Sequence, residues 1–405
     1  MGTMVFFNVP SAGHVNPSLP LVQALVQRGE RVLVYLTEGY RARFEALGAE
    51  FRPYPGLRDD FFEAAGLDGS NPPGTALHLI ETSTRLIPQI IEAVRAEAPR
   101  AVLYDAMCPW GNVIGQMLGV PRISSMALLF TDARSVMASI GLTGVAGMLG
   151  RGAGALLRFP LAAARLARAT GTRPLRFPET LINPADLVIS YTAEAIQPNA
   201  QAYGSHVRYV GPSLAARGDG DGFPFDALDE RPLILASLGT VINNHPEFFR
   251  TALTAFADWQ VQLVLSIGSR VDAAALGPIP ANAIVRGHVP QLALLERAAI
   301  FITHGGMNSV HEALYYGVPM LLAPQQIEQR ATAQRLQQLG AGILLPSPSP
   351  SPTDLREAAG HMFARSGFRA RATELGELLR AAGGQHRAAQ EIVRFVEAKS
   401  SEASV

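Results

Sequence analysis

Residues 299–329 read AIFITHGGMNSVHEALYYGVPMLLAPQQIEQ, and their order decides the fold. Ile300 to Thr303 is a short apolar run with β-branched residues, the pattern of a buried strand. His304, Gly305 and Gly306 break it. Asn308 to Tyr316 then has helical spacing, with Val310, Ala313 and Leu314 on one side. Gly317 and Pro319 stop that helix, and Val318 to Ala323 is a second apolar run closed by Pro324. The stretch is one strand–turn–helix–strand unit with a glycine-rich entry to the helix. The first N–H groups of such a helix have no partner within it, and its dipole leaves about half a positive charge there. Glycines let backbone approach a phosphate, and Asn308 and Ser309 add short polar groups. Glu312 shares their face one turn on. A carboxylate only accepts hydrogen bonds, so it suits a ribose diol rather than a phosphate.

The same alternation extends outward on both sides. Before the stretch come a strand at Leu233–Leu238, a helix at Pro246–Trp259, and strands at Val261–Ile267 and Ala283–Arg286. After it, Pro346 to Pro352 alternates Ser and Pro as a stiff connector, and Thr353 to Gly383 is helical. His386 to Lys399 reads as an amphipathic helix, with Ala389, Ile392, Val393 and Val396 on one face. The first half repeats the series. Strands are expected at Met4–Val9, Arg31–Thr37, Glu50–Tyr54, Ala101–Tyr104, Leu187–Tyr191 and Val207–Val210. Helices are expected at Pro17–Arg28 (after a turn at Pro10–Asn16), Arg41–Leu47, Ala76–Glu97 and Trp110–Leu118. Gly56 to Thr75 reads as a long loop. Ala127 to Thr170 is rich in Ala, Gly, Leu and Met, and reads either as mobile helices lining an apolar pocket or as plain helical packing. Leu214 to Asp229 has little apolar patterning and is the linker candidate. The fold class is α/β, with two parallel sheets and right-handed crossovers. Ligands of such sheets bind beyond the carboxyl ends of the strands.

Composition narrows the function. A chain of 405 residues implies two domains. Lys+Arg and Asp+Glu both number 34, so the basic footprint of a nucleic-acid binder is missing. Cys108 is the only cysteine, which precludes an internal disulfide or a cysteine metal cluster and fits a reducing, cytoplasmic setting. The amino terminus lacks the basic head and apolar core of a signal peptide. Ser135 to Gly150 is uncharged, but it is short of the ~20 residues a membrane span needs and holds four glycines. No transmembrane segment is expected.

Several constellations can carry chemistry. His14 follows the first strand, beside Ser11, Gly13 and Asn16, and Asp105 ends another parallel strand. If those strands are neighbours, a carboxylate on one ring nitrogen fixes the tautomer and raises the basicity of the other. In the second half, Ser237-Leu238-Gly239-Thr240 ends a strand with hydroxyls and a close backbone approach. Gly287-His288-Val289-Pro290-Gln291 is a turn whose backbone can read a base edge, and Glu328 and Gln329 can hold sugar hydroxyls. Asp219 and Asp221 form a DxD, but within the linker, and read as a turn. A dehydrogenase is disfavoured, because Gly150-Arg151-Gly152-Ala153-Gly154 follows no strand and lacks the GxGxxG spacing. A serine esterase is disfavoured because no GxSxG occurs.

The order GHVNP, YDAMCPWG, SLGT, HVPQ, HGGMNSVHEALYYGVP, PQQIEQ resembles the family 1 glycosyltransferases of GT-B fold, closest to the bacterial macrolide and antibiotic type. The motifs span Gly13 to Gln329. The resemblance implies two Rossmann-like domains facing across a deep cleft: 1–213 for the acceptor, a linker at 214–229, 230–384 for the nucleotide sugar, and a helix at 385–405 returning to the first domain. It implies His14 as general base and Asp105 as its orienting partner. Ser237 and Thr240 would lie near the diphosphate, and Val289 and Gln291 would meet the base. His304, Gly306, Asn308 and Ser309 would bind the diphosphate, Glu312 the ribose, and Glu328 and Gln329 the donor sugar. Many relatives carry Trp where His288 stands, which weakens the choice between uracil and thymine. The implied enzyme is inverting and metal-independent, has no cofactor, and is a monomer or homodimer. Its partners are a UDP-sugar, by default UDP-glucose, and an apolar acceptor such as a polyketide, macrolide or phenol. The rivals are a transferase using a dTDP-deoxysugar, a non-hydrolysing epimerase of the same fold, and an auxiliary protein that activates another transferase.

Overall fold

The computed structural model describes residues 2–67, 71–130, 133–214, 222–239 and 244–402, with backbone alone for 133–146, 148 and 149. The chain forms two compact units: Met1–Asp132 with Ile140–Leu214 and Ala382–Val405, and Ala133–Ser139 with Ala215–Ala381.

In chain order the first unit runs β1 (Thr3–Phe7), α1 (Ala12–Gln27), β2 (Arg31–Leu36), α2 (Arg41–Glu45), β3 (Glu50–Pro53), α3 (Phe61–Ala64), α4 (Pro72–Ala96) and β4 (Ala101–Asp105). It continues with α5 (Pro109–Leu118), β5 (Arg122–Met126), α6 (Ala133–Thr170), α7 (Phe177–Ile182), β6 (Leu187–Ser190) and β7 (Val207–Tyr209). The seven strands are parallel in the order β3-β2-β1-β4-β5-β6-β7. Helices cover both faces of such a sheet, so its central strands are buried on both sides and read as unbroken apolar runs. β1 is TMVFF and every residue of it is buried.

The second unit runs β8 (Leu233–Ser237), α8 (Pro246–Phe256), β9 (Gln262–Ser266), β10 (Ala283–Arg286), α9 (Gln291–Leu295), β11 (Ala298–Thr303) and α10 (Met307–Tyr315). Then come β12 (Met320–Leu322), α11 (Ile327–Gln338), β13 (Gly342–Leu344), α12 (Pro352–Ala364) and α13 (Gly367–Ala381). Its six strands are parallel in the order β10-β9-β8-β11-β12-β13. The last helix, α14 (Gly384–Glu402), packs on α1 and β6 and gives Ala388, Ala389, Ile392 and Val396 to the first unit's core. Each unit is a Rossmann-like α/β domain.

Three local readings need correction. α1 begins at Ala12, not Pro17, and keeps Pro17 and Pro20 inside it. Each proline removes one helical hydrogen bond, but Val15, Pro17, Leu21 and Leu25 are all buried, and that burial outweighs the loss. His14 therefore lies in a helix, not a loop. β5 was missed because RISSM breaks the apolar pattern; Ser125 Oγ is satisfied by Tyr191 OH at 2.8 Å. Residues 133–170 form one continuous helix, as their Ala, Leu and Met content favours. The Ser-Pro connector ends in a capping box, where the Ser351 N–H donates to Asp354 Oδ2 (2.8 Å) and the Asp354 N–H to Ser351 Oγ (3.1 Å). Pro352 takes the first helical position, where its missing N–H costs nothing.

Candidate active site

Both sheets change direction at the middle. In the first, chain order reverses between β1 and β4, which pair with Phe7 opposite Tyr104. In the second it reverses between β8 and β11, with Ser237 opposite Thr303. Such switch points open a crevice at the carboxyl ends of the strands. The candidate residues cluster at these two places.

At the first, His14 stands in the opening turn of α1, where its N–H and that of Val15 both donate to the Ser11 carbonyl at 2.9 Å. Asp105 closes β4 and is fully buried. His14 Nδ1 donates to Asp105 Oδ2 at 2.8 Å. The other carboxylate oxygen accepts the Met107 N–H at 2.8 Å. Asp105 is thus held at both oxygens, and with Nδ1 bonded to it the imidazole is oriented by that carboxylate. The His14 side chain is 12% exposed and that of Asp105 1%. Solvent reaches the imidazole while its partner stays dry.

A further chain of buried polar groups supports this place, and the motif reading missed it. Trp110 Nε1 donates to Tyr54 OH (3.0 Å), and that hydroxyl donates to the Asn8 carbonyl (3.0 Å). Asn8 Nδ2 donates to Ser18 Oγ (2.9 Å), which donates to the Val15 carbonyl (2.7 Å). The chain ties α5, β3, β1 and α1 together around His14. Burial pushes the Tyr54 hydroxyl well above its ordinary value and raises the Cys108 thiol likewise, so both stay protonated as structural groups. Tyr54 and Trp110 were visible only as residues ending a strand and opening a helix.

At the second switch point, β8 ends in Ser237, whose Oγ accepts the Gly239 N–H at 3.3 Å. Thr240 lies outside the described residues, as do Asp219 and Asp221. β11 ends at Thr303; His304 to Gly306 lead into α10, whose N-cap is Gly306, with no side chain capping it. A Cβ on Gly239 would lie 2.7 Å from His304 Cε1, and one on Gly306 2.5 Å from His304 Nε2. The His304 ring therefore fills the space between the two turns. Burial lowers its pKa to about 4, so near neutrality it is an uncharged ring able to donate one N–H. Asn308 and Ser309 are half-buried in the first turn of α10. Glu312 is buried one turn deeper, where Gln291 Nε2 donates to its Oε2 at 2.6 Å.

Over 100% of both chains, the sequence is 31% identical to the uncharacterized UDP-glucosyltransferase YojK of Bacillus subtilis (strain 168). It is 33% identical to the NDP-glycosyltransferase YjiC of the same organism, with 96% of each chain covered. The chain belongs to the family 1 glycosyltransferases. Residues 250–397 match the model of the erythromycin biosynthesis protein CIII-like C-terminal domain. The crystal structure of the glycotransferase of kitacinnamycin superposes with a TM-score of 0.80 at 30% identity, covering 97% of this chain and 98% of that one. The two Rossmann-like units are those of the GT-B fold.

The glycosyltransferase places its remaining candidate residues unequally. His288 is exposed and Val289 is buried. Glu328 is exposed at the start of α11. Gln329 is buried and its amide closes the same helix end. Its Oε1 accepts the N–H groups of Gln325 (2.9 Å) and Gln326 (3.2 Å), and its Nε2 donates to Gln326 Oε1 (2.8 Å). Glu328 and Gln329 are neighbours in sequence but point to different tasks.

Proposed function

We propose that this glycosyltransferase moves a sugar, by default glucose, from a UDP-sugar to a hydroxyl of an apolar small molecule, with inversion at the anomeric carbon. In the first unit, His14 Nε2 takes the acceptor proton while Asp105 stabilises the imidazolium that forms. The acceptor oxygen attacks the anomeric carbon from the face opposite the leaving diphosphate, so configuration inverts. In the second unit, backbone N–H groups from Gly306 to Ser309 and the His304 N–H receive the leaving charge. A charge at a helix end is worth up to ~2 kcal/mol, and each hydrogen bond to it about 1.5–3 kcal/mol. That stabilisation is the reason a metal-independent route is proposed. Glu312, held by Gln291, accepts from the ribose diol, and Glu328 meets the sugar.

The 2.8 Å contact of His14 with Asp105 carries the reading. A base oriented by a buried carboxylate is the device that activates a hydroxyl. In the assay, His14→Ala is expected to keep UDP affinity and to lose about 10²–10⁴ in transfer rate to alcohols. Transfer to a phenol already ionised at the assay pH should fall far less, because it needs no base. Equal losses on both acceptors, or near-normal turnover on alcohols, would remove His14 from the role. Proton couplings of the glycoside formed from an α-linked donor report the inversion. Backbone recognition at Val289 distinguishes uracil from thymine poorly, since the bases differ by a methyl group, so UDP and dTDP are to be compared side by side.

A further inference from the structure

α6 has an outward face that nothing in the first unit covers. Its inner face is fixed by packing. Gly152 seats against Pro73, where a Cβ would come within 2.7 Å of Cγ, and Phe159 meets Phe177 edge-on at 6.0 Å. Ala163, Leu166 and Ala167 are buried along the same side. The opposite side then faces solvent by helical geometry. It presents Leu157 and Leu161, one turn apart, at 82% and 65% exposure. Two isolated exposed leucines need no explanation. These are set among Arg158, Arg165 and Arg168, all exposed.

The charge around them is one-sided. Residues 133–178 hold seven arginines and no aspartate or glutamate, in a chain whose acidic and basic residues balance only as a whole; one of the seven, Arg173, pairs with Glu179 at 2.9 Å. Arg158 is paired with Glu81 at 2.8 Å, and among the described residues Arg165 and Arg168 have no carboxylate partner. An exposed apolar pair followed along the same helix by two unpaired arginines matches the boundary of an anionic bilayer, where leucines enter the acyl region and guanidinium groups remain at the phosphates. No helix among the described residues is long and apolar enough to cross a membrane, so the contact is peripheral. A second copy of this chain is a poorer occupant, because a two-fold contact through the same face would set arginine against arginine. A nucleic acid would match the cations but leave the leucines unused.

We infer that the exposed face of α6 from Leu157 to Arg168 docks this glycosyltransferase on an anionic lipid surface. The inference stands apart from the catalytic reading, since it needs neither His14 nor a donor.

Co-sedimentation of the full chain with extruded vesicles tests it. The chain should pellet with phosphatidylcholine vesicles containing about a third phosphatidylglycerol, should leave them at high salt, and should bind pure phosphatidylcholine at least about tenfold more weakly. Leu157→Glu with Leu161→Glu, and separately Arg165→Glu with Arg168→Glu, should each lower the partition at least about tenfold. A folded Leu157→Trp variant should show a blue shift of its fluorescence on the anionic vesicles. Absence of binding to anionic vesicles overturns the inference, as does binding unchanged by both double variants. A concentration-dependent dimer lost in Leu157→Glu/Leu161→Glu, without vesicle binding, would assign the face to a second copy instead.

Discussion

Gly239 carries two constraints at once. Its φ is +84°, a region that strains any residue with a Cβ, and the ring of His304 already occupies the space a Cβ would need. Gly239→Ala is therefore expected to push His304 out of line with α10 and to cost about 1–3 kcal/mol in backbone strain. Titration calorimetry should show UDP bound at least about tenfold more weakly, with a smaller change in turnover at saturating donor. Wild-type affinity in a folded Gly239→Ala protein would show that the His304 position does not matter to the nucleotide. Residues of this kind were partly legible in the chain. His14 and Asp105 could be paired in advance only on the condition that their strands are neighbours, and the pairing of β1 with β4 meets it. Gln329 could not be separated from Glu328, because a capping amide and a sugar-binding amide are the same residue type. Only the partners at Gln325 and Gln326 tell them apart. The Trp110–Tyr54–Asn8 chain was illegible for a related reason: its members are far apart in sequence, and each alone looks like core.

At the scale of elements, the strands and helices were legible wherever an apolar period ran unbroken, as in β1, β8 and β11. They were missed where tertiary burial overrode a local signal, as with the prolines of α1 and the serines of β5. α10 shows what a buried element can hide. His311 lies inside it, 3% exposed, and burial lowers its pKa to about 3. The folded state thus holds a neutral imidazole, while the unfolded chain protonates it near 6.5. Stability from this group is fully present above pH 6.5 and is lost as pH falls from there towards about 3, at up to ~1.4 kcal/mol per pH unit. Thermal unfolding followed from pH 7.5 to 4.5 should show the second unit's midpoint falling over that window. The slope should lessen in His311→Asn, leaving the part that the buried His304 contributes with the same sign. An equal slope in both proteins would place the acid sensitivity elsewhere.

For the whole molecule, the notable feature is that the chain leaves the first unit, builds the second, and returns. α14 is last in sequence yet belongs to the first core. The Gly384 N–H donates to the Val210 carbonyl at 2.6 Å, and Arg208 Nε donates to Glu391 at 3.0 Å. Ile392 and Val396 are fully buried. Burial of each is worth about 1.5–3 kcal/mol, and a domain's whole margin is about 5–15 kcal/mol, so deletion of residues 384–402 removes a large part of that margin. The amphipathic period of the tail was readable in the chain, whereas its destination depended on the resemblance, because a helix face does not name the surface it will meet. The deletion should lower or abolish the first unit's calorimetric transition and leave the second's in place. UDP at about 100 times its dissociation constant should then raise the second unit's transition by a stabilisation of ~2.7 kcal/mol, a few degrees, in both the full and the shortened chain. Loss of that shift on deletion would mean that the nucleotide depends on the first unit. A shift confined to the first unit's transition would reverse the assignment of donor and acceptor halves. If the shift stays with the second unit, that unit holds the nucleotide without the first, and His14 and Asp105 are left for the acceptor.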